Sequence, residues 1–213
     1  MLGAETLRIY GTRELGSPRR LAIYLEEKGL EIPFVPVDLM KGEHRTREFT
    51  SRNPVALVPV LELDDGTCIS ETTTIARYLE ELHPDPPFMG RDPLERARLD
   101  MWQRRVEFGF YTAIRAYFRQ TSPYARALEP VQVPEWGELN RGYAEDALRM
   151  LDAQLADNAF IAGPDFSWAD ITVVTSLQGT SITGFEIPGD CKHVHRWYET
   201  ASNRESVVAT LPP

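Results

Sequence analysis

The chain has 213 residues, which at about 150 per domain is room for one large domain or two small ones. Hydrophobic residues make up 42% and charged residues 26%, ordinary globular usage that excludes disordered, collagenous and membrane-bundle classes. Asp and Glu outnumber Lys and Arg by 32 to 23, a formal charge of −9 that repels nucleic acid and anionic lipid.

The first 83 residues alternate strand and helix signals. Leu7 to Tyr10 is a short apolar strand. Pro18 opens a helical stretch with Leu21, Ala22 and Leu25 at helical spacing, and Gly29 stops it. Ile32 to Leu39 reads as a second strand, and the polar segment from Glu43 to Arg52 as a short helix. Val58 to Leu63, the Asp64-Asp65-Gly66 turn and Cys68-Ile69 form a β-hairpin. A helix from Glu71 to His83 completes a β-α-β-(α)-β-β-α order, which implies a small mixed sheet with helices packed on it.

Pro84, Pro86, Pro87 and Pro93 then mark residues 84–92 as a stiff linker. Residues 93–213 lose the strand signals and read as all-helical. Helices are expected over Leu94 to Gln120, over Glu138 to Asp157, and from near Trp168 and Lys192. In the second of these, Leu139, Tyr143, Ala147, Met150, Leu151 and Leu155 share a face. Six of the 21 aromatic residues lie between Leu94 and Gln120. Trp102, Val106, Phe110, Ala113 and Tyr117 fall on one face there, with Arg104, Phe108, Tyr111, Arg115 and Phe118 opposite. The second stripe suits either a pocket for a second substrate or a dimer seam.

Cys68 and Cys191 are the only cysteines and form no C-x-x-C pair, which fits a reducing cytoplasm. His193 and His195 lack a third ligand nearby, so no metal is expected. No apolar run approaches the ~20 residues a membrane span needs, and no leader-like start is visible, so neither export nor membrane insertion is expected.

Four short motifs carry chemistry or punctuation. In Asn53-Pro54-Val55-Ala56-Leu57-Val58-Pro59-Val60-Leu61, Pro59 enters a strand. It is either an ordinary edge proline or a cis proline that turns the Val58 N–H and C=O toward a peptide-like ligand. Ser70-Glu71-Thr72 opens a helix, as a cap or as a seat for the amine and carboxylate of an amino-acid end. Gly16-Ser17-Pro18-Arg19-Arg20 places a hydroxyl at a helix N-terminus, again as a cap or as a donor to an anion. Ser167 and Asp170 make a capping box, with Phe166 and Ile171 at the staple positions.

Taken together and in this order, these motifs resemble those of the cytosolic glutathione transferase superfamily, over almost the whole chain. Ser-Pro-Arg-Arg looks most like the bacterial Ser or Asn type. The resemblance implies a glutathione transferase fold: an α/β thioredoxin-like N-terminal domain with a mixed four-stranded sheet, and an all-α C-terminal domain. It implies glutathione as co-substrate, a hydrophobic electrophile and a homodimer. Ser17 would stabilise the thiolate, within about two positions of register. Val58 would pair with the cysteinyl backbone beside cis Pro59, and Glu71 and Thr72 would hold the γ-glutamyl end. Ala56 stands where relatives carry a polar or basic residue for the glycine carboxylate, so Lys41, Arg19 or Arg20 would substitute. Phe108, Tyr111 and Arg115 would line the second-substrate pocket. Glutathione-linked disulfide or peroxide reduction, or glutathione binding without catalysis, are the alternatives on the same fold.

Overall fold

A computed structural model describes residues 7–212. Strands β1 (Arg8–Tyr10), β2 (Phe34–Val35), β3 (Val60–Glu62) and β4 (Cys68–Ser70) form one sheet in the order β2-β1-β3-β4. β1 runs parallel to β2 and antiparallel to β3, and β3 pairs antiparallel with β4, the mixed four-stranded sheet expected from the sequence. The second strand is only two residues long, against eight expected. Pro33 and Pro36 flank it, and neither can donate to the ladder. Its carbonyl groups still serve, since Pro33 and Val35 accept from the N–H groups of Ile9 and Gly11 at 2.9 Å.

Helices α1 (Gly16–Lys28), α2 (Arg47–Arg52) and α3 (Thr72–Leu82) belong to the same part of the chain. Gly29 ends α1 in the left-handed region at φ 63°, and the Leu30 N–H reaches back to the Leu25 carbonyl. The hairpin closes as read. Gly66 donates to the Leu63 carbonyl at 2.9 Å, and Asp65 Oδ1 accepts from the Thr67 N–H at 2.8 Å.

The helices that follow are α4 (Pro93–Arg105), α5 (Thr112–Thr121), α6 (Pro134–Leu155), α7 (Trp168–Thr180), α8 (Lys192–Ser202) and the short α9 (Glu205–Val208). The stretch expected as one helix is interrupted by a π-helical segment, Val106–Tyr111. The expected apolar face of α6 is also shifted. Ala147, Leu151 and Leu155 are buried as expected, but Leu139, Tyr143 and Met150 are exposed, and Gly137, Asn140, Ala144 and Leu148 are buried with the first three. Small residues replace large ones because α6 closes on the end of α5. A Cβ at Gly137 would lie 2.6 Å from Thr121 Cγ2 and 3.0 Å from Gln120 Cβ.

By compactness the chain divides into one unit running to Pro86, joined by the segment from Ala209, and another of Pro87–Val208. Within the first, the Lys28 ammonium is buried and donates to Glu80 Oε2 at 3.0 Å and to the Pro86 carbonyl at 2.6 Å. Glu80 also accepts from the Tyr24 hydroxyl at 2.7 Å, and burial holds that phenol far above its usual pKa. Also in this unit, Arg19 Nε donates to the Thr210 carbonyl at 2.9 Å.

Candidate active site

The first unit brings three chain segments toward one end of its sheet: the loop from β1 into α1, the loop into β3, and the start of α3. Gly11 is the joint between the first two. A Cβ there would lie 2.7 Å from Pro18 Cγ, so glycine lets β1 end this close to the start of α1, while Val58 Cβ at 3.6 Å is in ordinary contact. Ser17 follows in the first turn of α1, where backbone N–H groups lack intrahelical acceptors. The helix cap is Leu15, without a side-chain hydrogen bond, so Ser17 is not the cap.

Asn53 builds the second segment. It is buried, donates from Nδ2 to the Leu57 carbonyl at 2.8 Å, accepts on Oδ1 from the Val55 N–H at 3.2 Å, and accepts on its own carbonyl from Ala56 at 2.9 Å. Ala56 takes φ 55°, a left-handed conformation unusual for alanine. The Val58-Pro59 peptide is cis. Among the described residues neither the N–H nor the C=O of Val58 has a hydrogen-bond partner, and Pro59 is buried beneath it.

Glu71 introduces the third segment at φ 68°, exposed, with no side-chain cap bond. A non-glycine residue in that region stores backbone strain that the surroundings must enforce. Thr72 is buried, and its Oγ1 accepts from Arg20 Nη2 at 3.0 Å.

The basic residues expected for the glycine carboxylate need correction. Arg19 and Arg20 are both buried. Arg19 is committed to the Thr210 carbonyl and Arg20 to Thr72, so neither offers a free guanidinium at the surface. Lys41 remains exposed, with its Nζ 3.0 Å from Asp38 Oδ2. The hydrogen bond and charge of Asp38 raise the ammonium pKa, and Lys41, chiefly through its backbone N–H, lowers that of Asp38.

In the helical unit, Phe108 lies in the π-helical segment and is 70% exposed, while Tyr111 and Arg115 are half-buried. Opposite them Val106, Phe110, Ala113 and Tyr117 are buried, as the helical spacing required, and Trp102 is half-buried. Arg104 lies over the Phe108 ring at 5.6 Å and pairs with Glu107 at 2.7 Å. Cys68 and Cys191 are free thiols, both held above the usual thiol pKa chiefly by burial, so neither is tuned as a nucleophile. Among the described residues no cluster of His, Cys, Asp and Glu could hold a metal ion, and no helix is long and apolar enough to cross a membrane.

Sequence reasoning missed Gly11, Asn53 and the buried bond from Arg20 to Thr72. A glycine directly after a strand was the available signal for the first. For Asn53 the signal was its place before Pro54, since all its partners lie within four residues. Nothing local reports the bond from Arg20 to Thr72, because packing joins residues 52 apart.

This arrangement, a short mixed sheet offering an unpaired backbone beside two helix N-termini, followed by an all-helical unit, is that of a glutathione transferase. Residues 17–82 match the family described as glutathione S-transferase, N-terminal domain, and residues 134–200 the corresponding C-terminal domain. The chain belongs to the glutathione S-transferase family. It is 36% identical over 210 residues to Glutathione S-transferase 2 of Saccharomyces cerevisiae, covering 97% of this chain and 90% of that protein. The solved structure of Gtt2 from Saccharomyces cerevisiae superposes with TM-score 0.90 at 36% identity, over 96% of this chain and 100% of that one. A glutathione S-transferase domain-containing protein from Marinobacter aquaeolei VT8 gives TM-score 0.89 at 40% identity, over 94% of this chain and 99% of the other.

Proposed function

We propose that the protein transfers glutathione to a hydrophobic electrophile, with Ser17 as the thiolate-stabilising residue. The observation that carries the site is the unpartnered Val58 backbone, set beside the first turn of α1. An extended peptide adds to such a backbone as an extra strand, which seats the cysteinyl residue of glutathione. At pH 7 a thiol of pKa about 8.5 is mostly protonated. The Ser17 hydroxyl donates to the sulfur, the helix N-terminus adds partial positive charge, and the thiolate becomes the populated form. Its proton leaves to water. The sulfur lone pair then forms a carbon–sulfur bond while the leaving group departs with the bonding electrons.

Glu71 accepts from the α-ammonium of the γ-glutamyl residue, and Thr72 donates to its carboxylate. Lys41 is the basic residue left for the glycine carboxylate. Phe108, Tyr111 and Arg115 are assigned to the electrophile, on the strength of their aromatic and cationic side chains and their position outside the buried face of their helices. The same reading takes the protein to act in the cytoplasm, which two free cysteines support, and as a homodimer, which rests on the family resemblance alone.

Ser17→Ala tests the assignment. Turnover of a chloronitrobenzene with glutathione is expected to fall about 10²-fold, as when one donor to a developing anion is removed elsewhere. The pH midpoint of kcat/KM is expected to move up. Unchanged turnover and an unchanged midpoint would reduce Ser17 to a structural residue.

A further inference from the structure

Ser17 and Thr72 belong to different helices, yet one side chain joins their neighbourhoods. Arg20 lies one turn after Ser17 on α1, and its Nη2 donates to Thr72 Oγ1 at 3.0 Å. Both residues are 4% exposed, so the bond is shielded from water. A guanidinium carries only donors, so the threonine oxygen must accept from it. The threonine proton is thereby turned away from Arg20, and among the described residues no acceptor takes it. A buried hydroxyl of this kind is a donor awaiting an acceptor. It stands in the first turn of α3, where backbone N–H groups also lack partners. Such a set selects a carboxylate.

We infer that Arg20 is a positioning residue for ligand binding: it holds Thr72 as a hydrogen-bond donor toward the α-carboxylate of the γ-glutamyl group and ties the thiol side of the site to the glutamyl side. The inference rests on the glutathione site proposed above. It assigns Arg20 a task the sequence did not suggest, since Arg20 was a candidate for the opposite end of the tripeptide. It also gives a reason for threonine to serve at position 72: either hydroxyl residue can accept from Arg20 and donate onward, and valine can do neither.

The test is a binding cycle by calorimetry, using glutathione and γ-aminobutyryl-cysteinyl-glycine, which lacks only the α-carboxylate. Arg20→Met and Thr72→Val are each expected to weaken glutathione about tenfold, the scale of one hydrogen bond to a charged group, and to leave the analogue's affinity unchanged. Arg20→Lys, which can still donate, and Thr72→Ser, which keeps the hydroxyl, are expected to stay within about threefold of the parent. If Arg20→Met weakens both ligands equally, or neither, the inference is overturned. The Thr72→Val and Thr72→Ser pair carries the same comparison should Arg20→Met not fold by circular dichroism. If the parent protein binds neither ligand, it is the glutathione-site reading that fails.

Discussion

Asp170 is fully buried and accepts four hydrogen bonds. Oδ1 takes the Ile161 N–H at 2.9 Å and Trp197 Nε1 at 2.7 Å, and Oδ2 takes the Ser167 N–H at 3.0 Å and hydroxyl at 2.7 Å. Burial drives its carboxyl pKa up while these bonds pull it down. The capping box legible in the sequence is thus one half of a junction that also ties α8 and the Phe160–Gly163 loop to α7. Asp170→Ala orphans buried donors at about 1–3 kcal/mol each, so urea unfolding is expected to report a loss of at least about 3 kcal/mol. His44 is a second buried group, with Nδ1 unpartnered among the described residues. Burial, and then the charge of Arg45, lower its pKa from 6.5. Between the lowered value and 6.5 the unfolded chain binds more protons than the folded one. Stability therefore rises with pH across that window and declines as pH drops through it. His44→Phe is expected to flatten the slope of unfolding free energy between pH 7.5 and 5.5; an identical slope would assign it to other groups.

At the scale of elements, the π-helical segment is the instructive departure. Its wider turn shows in the Thr112 hydroxyl, which donates to the Glu107 carbonyl five residues back at 2.8 Å. Such segments recur at functional sites, and this one carries Phe108 on its outer side and Phe110 on its inner side. The two aromatics should therefore separate function from stability. Phe110→Ala empties a fully buried site and is expected to cost about 3–5 kcal/mol in chemical unfolding. Phe108→Ala is expected to change stability by less than about 0.5 kcal/mol. It should raise the KM for the electrophile while leaving that for glutathione unchanged. The alternation of buried and open faces was readable from spacing alone. The π geometry was not, because it satisfies the same apolar pattern as an ordinary helix and has no propensity signature of its own.

At the scale of the whole chain, the last segment groups with the first. Thr210 is fully buried, and its carbonyl accepts from Arg19, itself buried one turn before Ile23 on α1. Removing residues after Val208 leaves that guanidinium without its carbonyl, and hydrogen bonds to charged groups contribute about 1.5–3 kcal/mol. A truncated chain is expected to melt several degrees lower in calorimetry, and Arg19→Met to reproduce much of that loss. A truncation with an unaltered melting temperature would show the tail to be a passive extension.

Local rules were enough for the element order, the hairpin turn, the Gly29 stop, the Ser167–Asp170 box and the motifs of the family, because each depends on residues close in sequence. They placed Ser17, Val58, Glu71 and Thr72 at the termini of strands and helices, where backbone groups lack partners within the element. Tertiary structure decided which charges are available. Arg19 and Arg20 look like surface cations on paper, and packing buries both and spends them on partners 191 and 52 residues away. It also chose which face of α6 to bury, through the close approach at Gly137. Side-chain periodicity specifies a face, but only the neighbouring backbone sets how near that face can come, and so which polar groups remain open to a ligand.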